Sequence, residues 1–131
     1  MKKIIFALVI LLTCSFSVCK ASNDGSPAAD AARQFGFYVG HGDGVKAGLM
    51  AISAHSLFNY AQSVKAECDG LGGLVDVSVI NEEVIVENQE VIVTVVFHCK
   101  NEGKQIEKKY TLVWVDGKWK VDFSKEVGNR N

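Results

Sequence analysis

The chain has 131 residues, of which 48% are hydrophobic and 22% charged, and its formal net charge is -1. This composition is typical of a globular domain long enough to bury a core, and it excludes fibrous and intrinsically disordered classes. Three of the basic residues lie in the first 20, which leaves 11 basic against 15 acidic side chains in the rest of the chain. The absence of a basic stripe from the sequence argues against nucleic acid as a partner.

Residues 1–21 have the layout of a secretory signal peptide. Two lysines follow Met1, the apolar run Ile4 to Leu12 comes next, and small residues end the segment. Ile4 to Cys19 is shorter than the about 20 apolar residues that a membrane-spanning helix needs. We therefore expect an exported protein.

The end of this segment leaves two interpretations open. Cleavage after Ala21 would release a periplasmic protein that begins with a short tether, residues 22–26. Lipidation of Cys19 would instead anchor the protein to the membrane, although Val18 occupies a position where lipoproteins normally carry a small residue.

Two cysteines, Cys68 and Cys99, remain in the mature domain under either interpretation. An even pair in an oxidising compartment predicts a disulfide, and the alternative is two buried free thiols. A bridge of this loop length would stabilise the fold by roughly 3 to 4 kcal/mol on the chain-entropy model.

Helices are predicted for the first half of the domain. Ser26 and Pro27 have the pattern of an N-cap and a first helical residue, and apolar spacing predicts a helix from Pro27 to Val39. A second helical region is expected from Asp43 to Cys68, with a break near Ser53 to Ser56, where Ser56 can cap the second part. The glycine-rich segment 69–73 ends it.

An antiparallel meander is predicted from Leu74 to Phe123, with its turns fixing the register. Asp116-Gly117 is typical of a two-residue hairpin turn, which places Trp114 opposite Trp119 and aligns two further apolar pairs, Leu112 with Val121 and Tyr110 with Phe123.

Two earlier turns extend the same apolar face across the predicted sheet. A turn at Glu102-Gly103 would pair Cys99 with Ile106, Val95 with Tyr110 and Val93 with Leu112. A turn at Asn88-Gln89, with a bulge near Asn81, would pair Val86 with Val91, Val79 with Phe97 and Val77 with Cys99. The expected fold class is α+β: helices on a four-stranded meander over residues 27–124, followed by a tail, 125–131.

No stretch of the sequence supports a catalytic, cofactor or metal site. Gly42 to Ala47 matches a short dinucleotide-binding pattern, but no βαβ unit surrounds it, so a loop between helices is the better interpretation. His41, His55 and His98 lack the spacing of metal ligands. Glu82 and Glu83 are interpreted as solvated charges at the bulge.

The Ser-Pro opening, the Gly-Gly step and the closing Asp116-Gly117-Lys118-Trp119-Lys120-Val121 together resemble a known family. They are similar to small exported bacterial proteins and lipoproteins of the lumazine-binding-like domain-of-unknown-function family, within the nuclear-transport-factor-2-like, cystatin-like superfamily. The resemblance covers Ser26 to Phe123, and Gly36 and Val18 depart from the pattern. It implies a curved sheet wrapped on helices around a cone-shaped cavity.

Such a cavity would be lined by the apolar face of the predicted meander, which gives the candidate ligand-binding residues Phe58, Lys108, Tyr110, Trp114 and Trp119. The alternative is that these aromatic side chains fill the core. Relatives in this superfamily often pair through the open face of the sheet, where Ile92, Thr94 and Val96 are candidates for a homodimer contact.

Three functions are consistent with this sequence as hypotheses. The first is a non-catalytic envelope protein that binds a small apolar ligand or a peptide in the cone. The second is a protein-interaction module, such as an immunity or inhibitor protein for an exported toxin. The third, an isomerase- or dehydratase-like enzyme, is disfavoured because the predicted inward face carries Lys108 and Tyr110 but no Asp, Glu or His.

Overall fold

The computed structural model describes residues 26–52, 56–101 and 105–123. The described chain forms, in order, α1 (Pro27–Gly40), α2 (Gly44–Leu49), α3 (Leu57–Gly70), β1 (Leu74–Val86), β2 (Glu90–Cys99), β3 (Ile106–Val115) and β4 (Lys118–Val121). This is the predicted α+β order. The signal segment with Cys19, most of the tether, and the tail lie outside the described residues.

The first helix begins as the sequence predicts and ends one residue later, at Gly40. The Ser26 side chain accepts a hydrogen bond of 3.0 Å from the Ala29 backbone N–H, and Pro27 occupies the first turn. The same hydroxyl donates to the carboxylate of Glu82 on β1. One side chain therefore both caps the helix and ties its start to the sheet.

The second helical region is divided, as expected. Asp43 caps the short α2 by accepting from the Lys46 N–H at 3.0 Å. The Gly42 to Ala47 motif, predicted to be a loop, therefore begins in the link after α1 and continues into the first turn of α2. Ser56 is the N-cap residue of α3, but its φ is 68° and its side chain makes no capping hydrogen bond. Its position was predicted correctly and its capping role was not.

The sheet is an antiparallel meander in the order β1-β2-β3-β4. In the last hairpin Trp114 pairs with Trp119 and Leu112 with Val121, as the Asp116-Gly117 turn predicts. The predicted pairing of Tyr110 with Phe123 is not formed, because β4 ends at Val121.

The predicted β2–β3 register is wrong by two residues. Phe97 lies opposite Ile106, Val95 opposite Lys108, Val93 opposite Tyr110 and Val91 opposite Leu112. Just beyond β2, the Lys100 and Asn101 N–H groups bind the carbonyls of Gly73 and Leu71 at 3.0 and 2.8 Å, so these groups do not pair with β3 as a turn at Glu102-Gly103 would require. The two predicted turn residues lie outside the described residues. A shift of two keeps side-chain parity, so the predicted face is preserved.

The β1–β2 register is shifted similarly: Val84, not Val86, lies opposite Val91, Val79 opposite Val95 and Val77 opposite Phe97. The predicted bulge is present between Val79 and Asn81, and a further irregularity separates Val84 from Val86. The hairpin turn has three residues between Val86 and Glu90, with Asn88 in the left-handed region at φ 61°.

The core lies between the helices and one face of the sheet, and α1 contacts all four strands. Phe35 and Val39 of α1 and Phe97 and Leu112 of the sheet are fully buried. On the other face, Thr94 and Val96 are only 3% and 6% exposed and Ile92 is partly buried, and the suggested homodimer stays a prediction. Within the described residues, no helix has the length and apolar character to cross a membrane.

Candidate functional site

The five predicted ligand-binding residues lie in different environments. Trp114 and Trp119 lie together beside a groove at one end of the sheet. Tyr110 is buried in the core, Lys108 lies at its margin, and Phe58 on α3 is 62% exposed. The cavity expected from all five is therefore not one site, and the two tryptophans are the pair that the fold brings together.

The tryptophan pair is built by the Asp116-Gly117 turn. Asp116 and Gly117 both have positive φ, 52° and 79°, the geometry that a two-residue hairpin turn requires. The strands on either side consequently place Trp114 and Trp119 opposite each other, with ring centroids 5.4 Å apart at an interplanar angle of 68°. This edge-to-face contact orients both rings.

The groove beside the pair has a volume of about 530 Å³. It lies between the start of α1 and the end of the sheet that carries the β1–β2 and β3–β4 turns. Its lining combines apolar side chains with a few polar groups: Ser26, Pro27, Ala28, Glu82, Val84, Glu87, Asn88, Val91, Trp114 and Trp119.

The groove exists because the inward face of the sheet extends beyond the helix layer. Tyr110, Leu112 and Trp114 follow one another along the same face of β3. Tyr110 is 4% exposed and Leu112 is 0% exposed. Trp114, the next residue on that face, is 49% exposed. An indole this open, on a concave surface rather than in a core, is the kind of contact that ligand pockets use.

Two carboxylates, Glu82 and Glu87, border the groove, and they are its only charged lining residues among those that the structure describes. Both were missed as site residues, because in sequence Glu82 belongs to a bulge and Glu87 to a turn. The sequence did contain one indication that these glutamates lie near the tryptophans. In a meander, the β1–β2 turn and the Asp116-Gly117 turn lie at the same end of the sheet.

Tyr110 has a structural environment. Its ring packs edge-on against Phe35, with centroids 4.9 Å apart, and its hydroxyl shares a 2.8 Å hydrogen bond with the hydroxyl of Tyr60. Burial raises the pKa of Tyr110 well above its ordinary value of 10.0, and the neighbouring Tyr60 raises it further. Tyr110 therefore fills the core, which was the alternative to a ligand-binding role in the sequence analysis.

Lys108 forms an ion pair with Glu67 of α3, with Nζ 3.4 Å from Oε1. Its side chain is 14% exposed, while that of Glu67 is 48% exposed. An ammonium at the margin of the sheet, with its stem on apolar surface and a carboxylate partner, is a stabilising contact of modest size. Lys108 does not border the groove.

The predicted disulfide is not formed in this structure: Cys68 and Cys99 are both free and buried. The two thiols are nonetheless neighbours. Burial raises the pKa of Cys68 from 9.0 to about 12, and the charge and hydrogen bonding of Cys99 contribute to the rise. A thiol with so high a pKa is a poor nucleophile at neutral pH.

These buried groups predict a loss of stability at alkaline pH. The folded protein keeps its protons on Cys68 and Tyr110 above pH 9.0 and 10.0, where the unfolded chain releases them. The free energy of unfolding should therefore fall as the pH rises, by at most about 1.4 kcal/mol per pH unit for each group.

Urea denaturation between pH 8 and 11 measures this loss. Cys68→Ala should remove the part that begins near pH 9.0, and Tyr110→Phe the part above pH 10.0. An unchanged pH dependence in both variants would contradict the assignment.

His98 and a further cavity near it give no sign of a second chemical centre within the described residues. The His98 ring is bonded through Nε2 to the Ser78 hydroxyl at 2.7 Å. A smaller cavity of about 390 Å³ lies nearby, lined by Val75, His98, Cys99, Lys100 and Gln105. No group of three or more His, Cys, Asp or Glu residues within the described ranges could hold a metal ion. His55 lies outside those ranges.

The structural comparison identifies the fold. A protein provisionally named an NTF2-like transpeptidase, from Campylobacter jejuni, superposes with a TM-score of 0.63 over 73% of this chain and 97% of its own, at 18% sequence identity. The fold is NTF2-like. This confirms the fold that the sequence resemblance implied, a set of helices on a curved antiparallel sheet.

A second structural match is much weaker. The intermembrane-space region of the chloroplast protein ARC6 matches with a TM-score of only 0.35 at 15% identity, which is too distant to bear on the fold. No protein-family model matches the chain, and no curated protein matches it either. The narrower lumazine-binding-like assignment therefore remains a prediction from sequence motifs.

In this NTF2-like fold, the tryptophan groove is at the open end of the space between helices and sheet. The inner part of that space holds Phe35, Phe97 and Leu112, all fully buried. The groove at the start of α1 is therefore an open part of this space.

Proposed function

We propose that the protein is a non-catalytic binding protein that takes up a small apolar ligand in the groove of Trp114 and Trp119. The observation that carries the proposal is the half-exposed Trp114 ring, fixed by Trp119 within a concave surface. Apolar clefts of about 300 to 1,000 Å³ with a few polar groups are the usual form of small-molecule sites. The groove volume of about 530 Å³ falls in this range.

We further propose that the protein acts outside the cytoplasm, on the basis of its first 21 residues. Export with cleavage after Ala21 and export with lipidation of Cys19 differ in the mass of the mature protein. An intact mass of the protein from its host separates them, and an uncleaved chain would contradict export.

The two tryptophans provide a direct test of binding. The chain has two tryptophans in all, and both border the groove, so its tryptophan fluorescence reports on this site alone. A neutral apolar probe such as tert-butylbenzene should change the emission in a saturable way. Trp114→Ala should weaken that binding about tenfold, because losing an aromatic contact of about 1.4 kcal/mol corresponds to that ratio.

Phe58→Ala is the matched control. It also removes an aromatic ring that the sequence assigned to the ligand site, but Phe58 is exposed on α3 and does not line the groove. Its affinity for the probe should equal that of the wild type. If the wild-type emission does not respond to the probe, or if Phe58→Ala weakens binding as much as Trp114→Ala, the groove is not the site.

A further inference from the structure

The charge of the groove has one sign. Of the described residues that line it, Glu82 and Glu87 carry charge, and no Lys or Arg is among them. The nearest lysines along β4 are Lys118 and Lys120, which flank Trp119 in sequence. Since adjacent residues of a strand point to opposite faces, the Lys118 and Lys120 side chains leave β4 on the face opposite to that of Trp119, and neither lines the groove.

The carboxylates are held near the aromatic pair by local structure. Glu82 accepts a hydrogen bond from the Ser26 hydroxyl through Oε2. An ionised carboxylate has a second oxygen with its own acceptor capacity, so Glu82 can still accept a contact through Oε1. Glu87 directly precedes Asn88, whose left-handed conformation at φ 61° turns the chain, and Glu87 lines the same groove.

We infer that the ligand of this groove is a small organic cation, an ammonium group attached to an apolar body. This inference rests on the proposed function and adds one ammonium group to the apolar ligand proposed there. The electron-rich face of an indole attracts an ammonium group, and quaternary ammonium ions are the ligands that aromatic sites favour. Two carboxylates that line the same groove add charge attraction, while Val84, Val91 and Pro27 provide apolar contact for the body.

An isosteric pair of probes tests the charge by itself. Phenyltrimethylammonium and tert-butylbenzene have the same shape and differ in that the first carries a positive charge. Followed by tryptophan emission, the cation should bind about tenfold more tightly, which corresponds to about 1.4 kcal/mol. Raising the salt concentration should weaken the binding of the cation and leave that of the neutral probe unchanged.

Glu87→Gln and Glu83→Gln form a matched pair of variants. Both remove one carboxylate from the exposed end of the β1–β2 hairpin, but Glu83 does not line the groove. Glu87→Gln should weaken binding of the cation about three- to fivefold, the ratio expected from one partly exposed charge contact, and should not affect the neutral probe. Glu83→Gln should affect neither probe.

Quenching by ions gives a readout that needs no ligand. Caesium should quench the tryptophan emission more than iodide does, when each is normalised to free N-acetyltryptophanamide, and Glu87→Gln should reduce the difference. Equal binding of the two probes, or tighter binding of tert-butylbenzene, would overturn the cation inference and keep the groove as a binding site. Failure of both probes to change the emission would overturn the proposed function itself.

Discussion

Replacing Phe97 with alanine is expected to lower the free energy of unfolding by about 3 to 5 kcal/mol, the range for removing a buried phenylalanine. Phe97 is fully buried on β2. It lies between Val77 and Ile106 in the sheet and directly beneath the two glycines of α1, Gly36 and Gly40. Because α1 packs against this ring, the cavity left by the substitution cannot close unless the helix moves.

The matched control is again Phe58→Ala, which removes the same side chain from an exposed position. It should cost about 1 kcal/mol or less, since surface substitutions usually have small effects. Urea denaturation of the two variants, monitored by circular dichroism, measures both values. Similar losses for the two variants would mean that Phe97 is not the centre of the core.

Replacing Gly40 with leucine is expected to lower the free energy of unfolding by about 3 kcal/mol, at the upper end of overpacking costs. A Cβ atom at this position would lie 2.6 Å from Leu74 Cδ2 and 3.2 Å from two ring carbons of Phe97. The remaining carbons of leucine would increase the overlap. The better helix propensity of leucine offsets less than about 1 kcal/mol of this cost.

Gly70→Leu is the control for this substitution. Gly70 is also the last residue of its helix, but a Cβ atom there would have no neighbour within 4 Å. It should leave stability unchanged or slightly higher. The double variant Gly40→Leu with Phe97→Ala should lose less than the sum of the two single losses, because the new side chain can occupy the space of the ring. Strict additivity would show that the two residues do not share a contact.

The role of the two glycines of α1 is visible only in the tertiary structure. In the sequence, Gly36 is a poor helix former within the helix predicted from Pro27 to Val39. In the fold, Gly36 and Gly40 let α1 approach the sheet, since Cβ atoms there would lie 3.2 Å from Val77 and 2.6 Å from Leu74. The reason for each glycine lies on a strand far along the chain, so helix propensity could not predict it.

The sequence by itself determined the features that depend on neighbouring residues. The Ser26 cap of α1, the Asp116-Gly117 turn with its tryptophan pair, and the bulge before Asn81 all follow from local conformational preferences. Strand parity is also local, because side chains alternate along a strand. The residues that share one face of β2 and β3 were therefore predicted correctly, although the register was wrong by two residues.

Only the tertiary structure decided where that face becomes a site. The β2–β3 register depends on hydrogen bonds from Lys100 and Asn101 to the loop after α3. Whether an aromatic residue of this face lies in the core or in the groove depends on where α1 begins above the sheet. That position leaves Trp114 exposed and buries Tyr110. The sign of the groove's charge depends on Glu82 and Glu87, which come from a different hairpin than the tryptophans. Each of these contacts joins residues far apart in the chain, so their positions follow from packing and not from any local pattern.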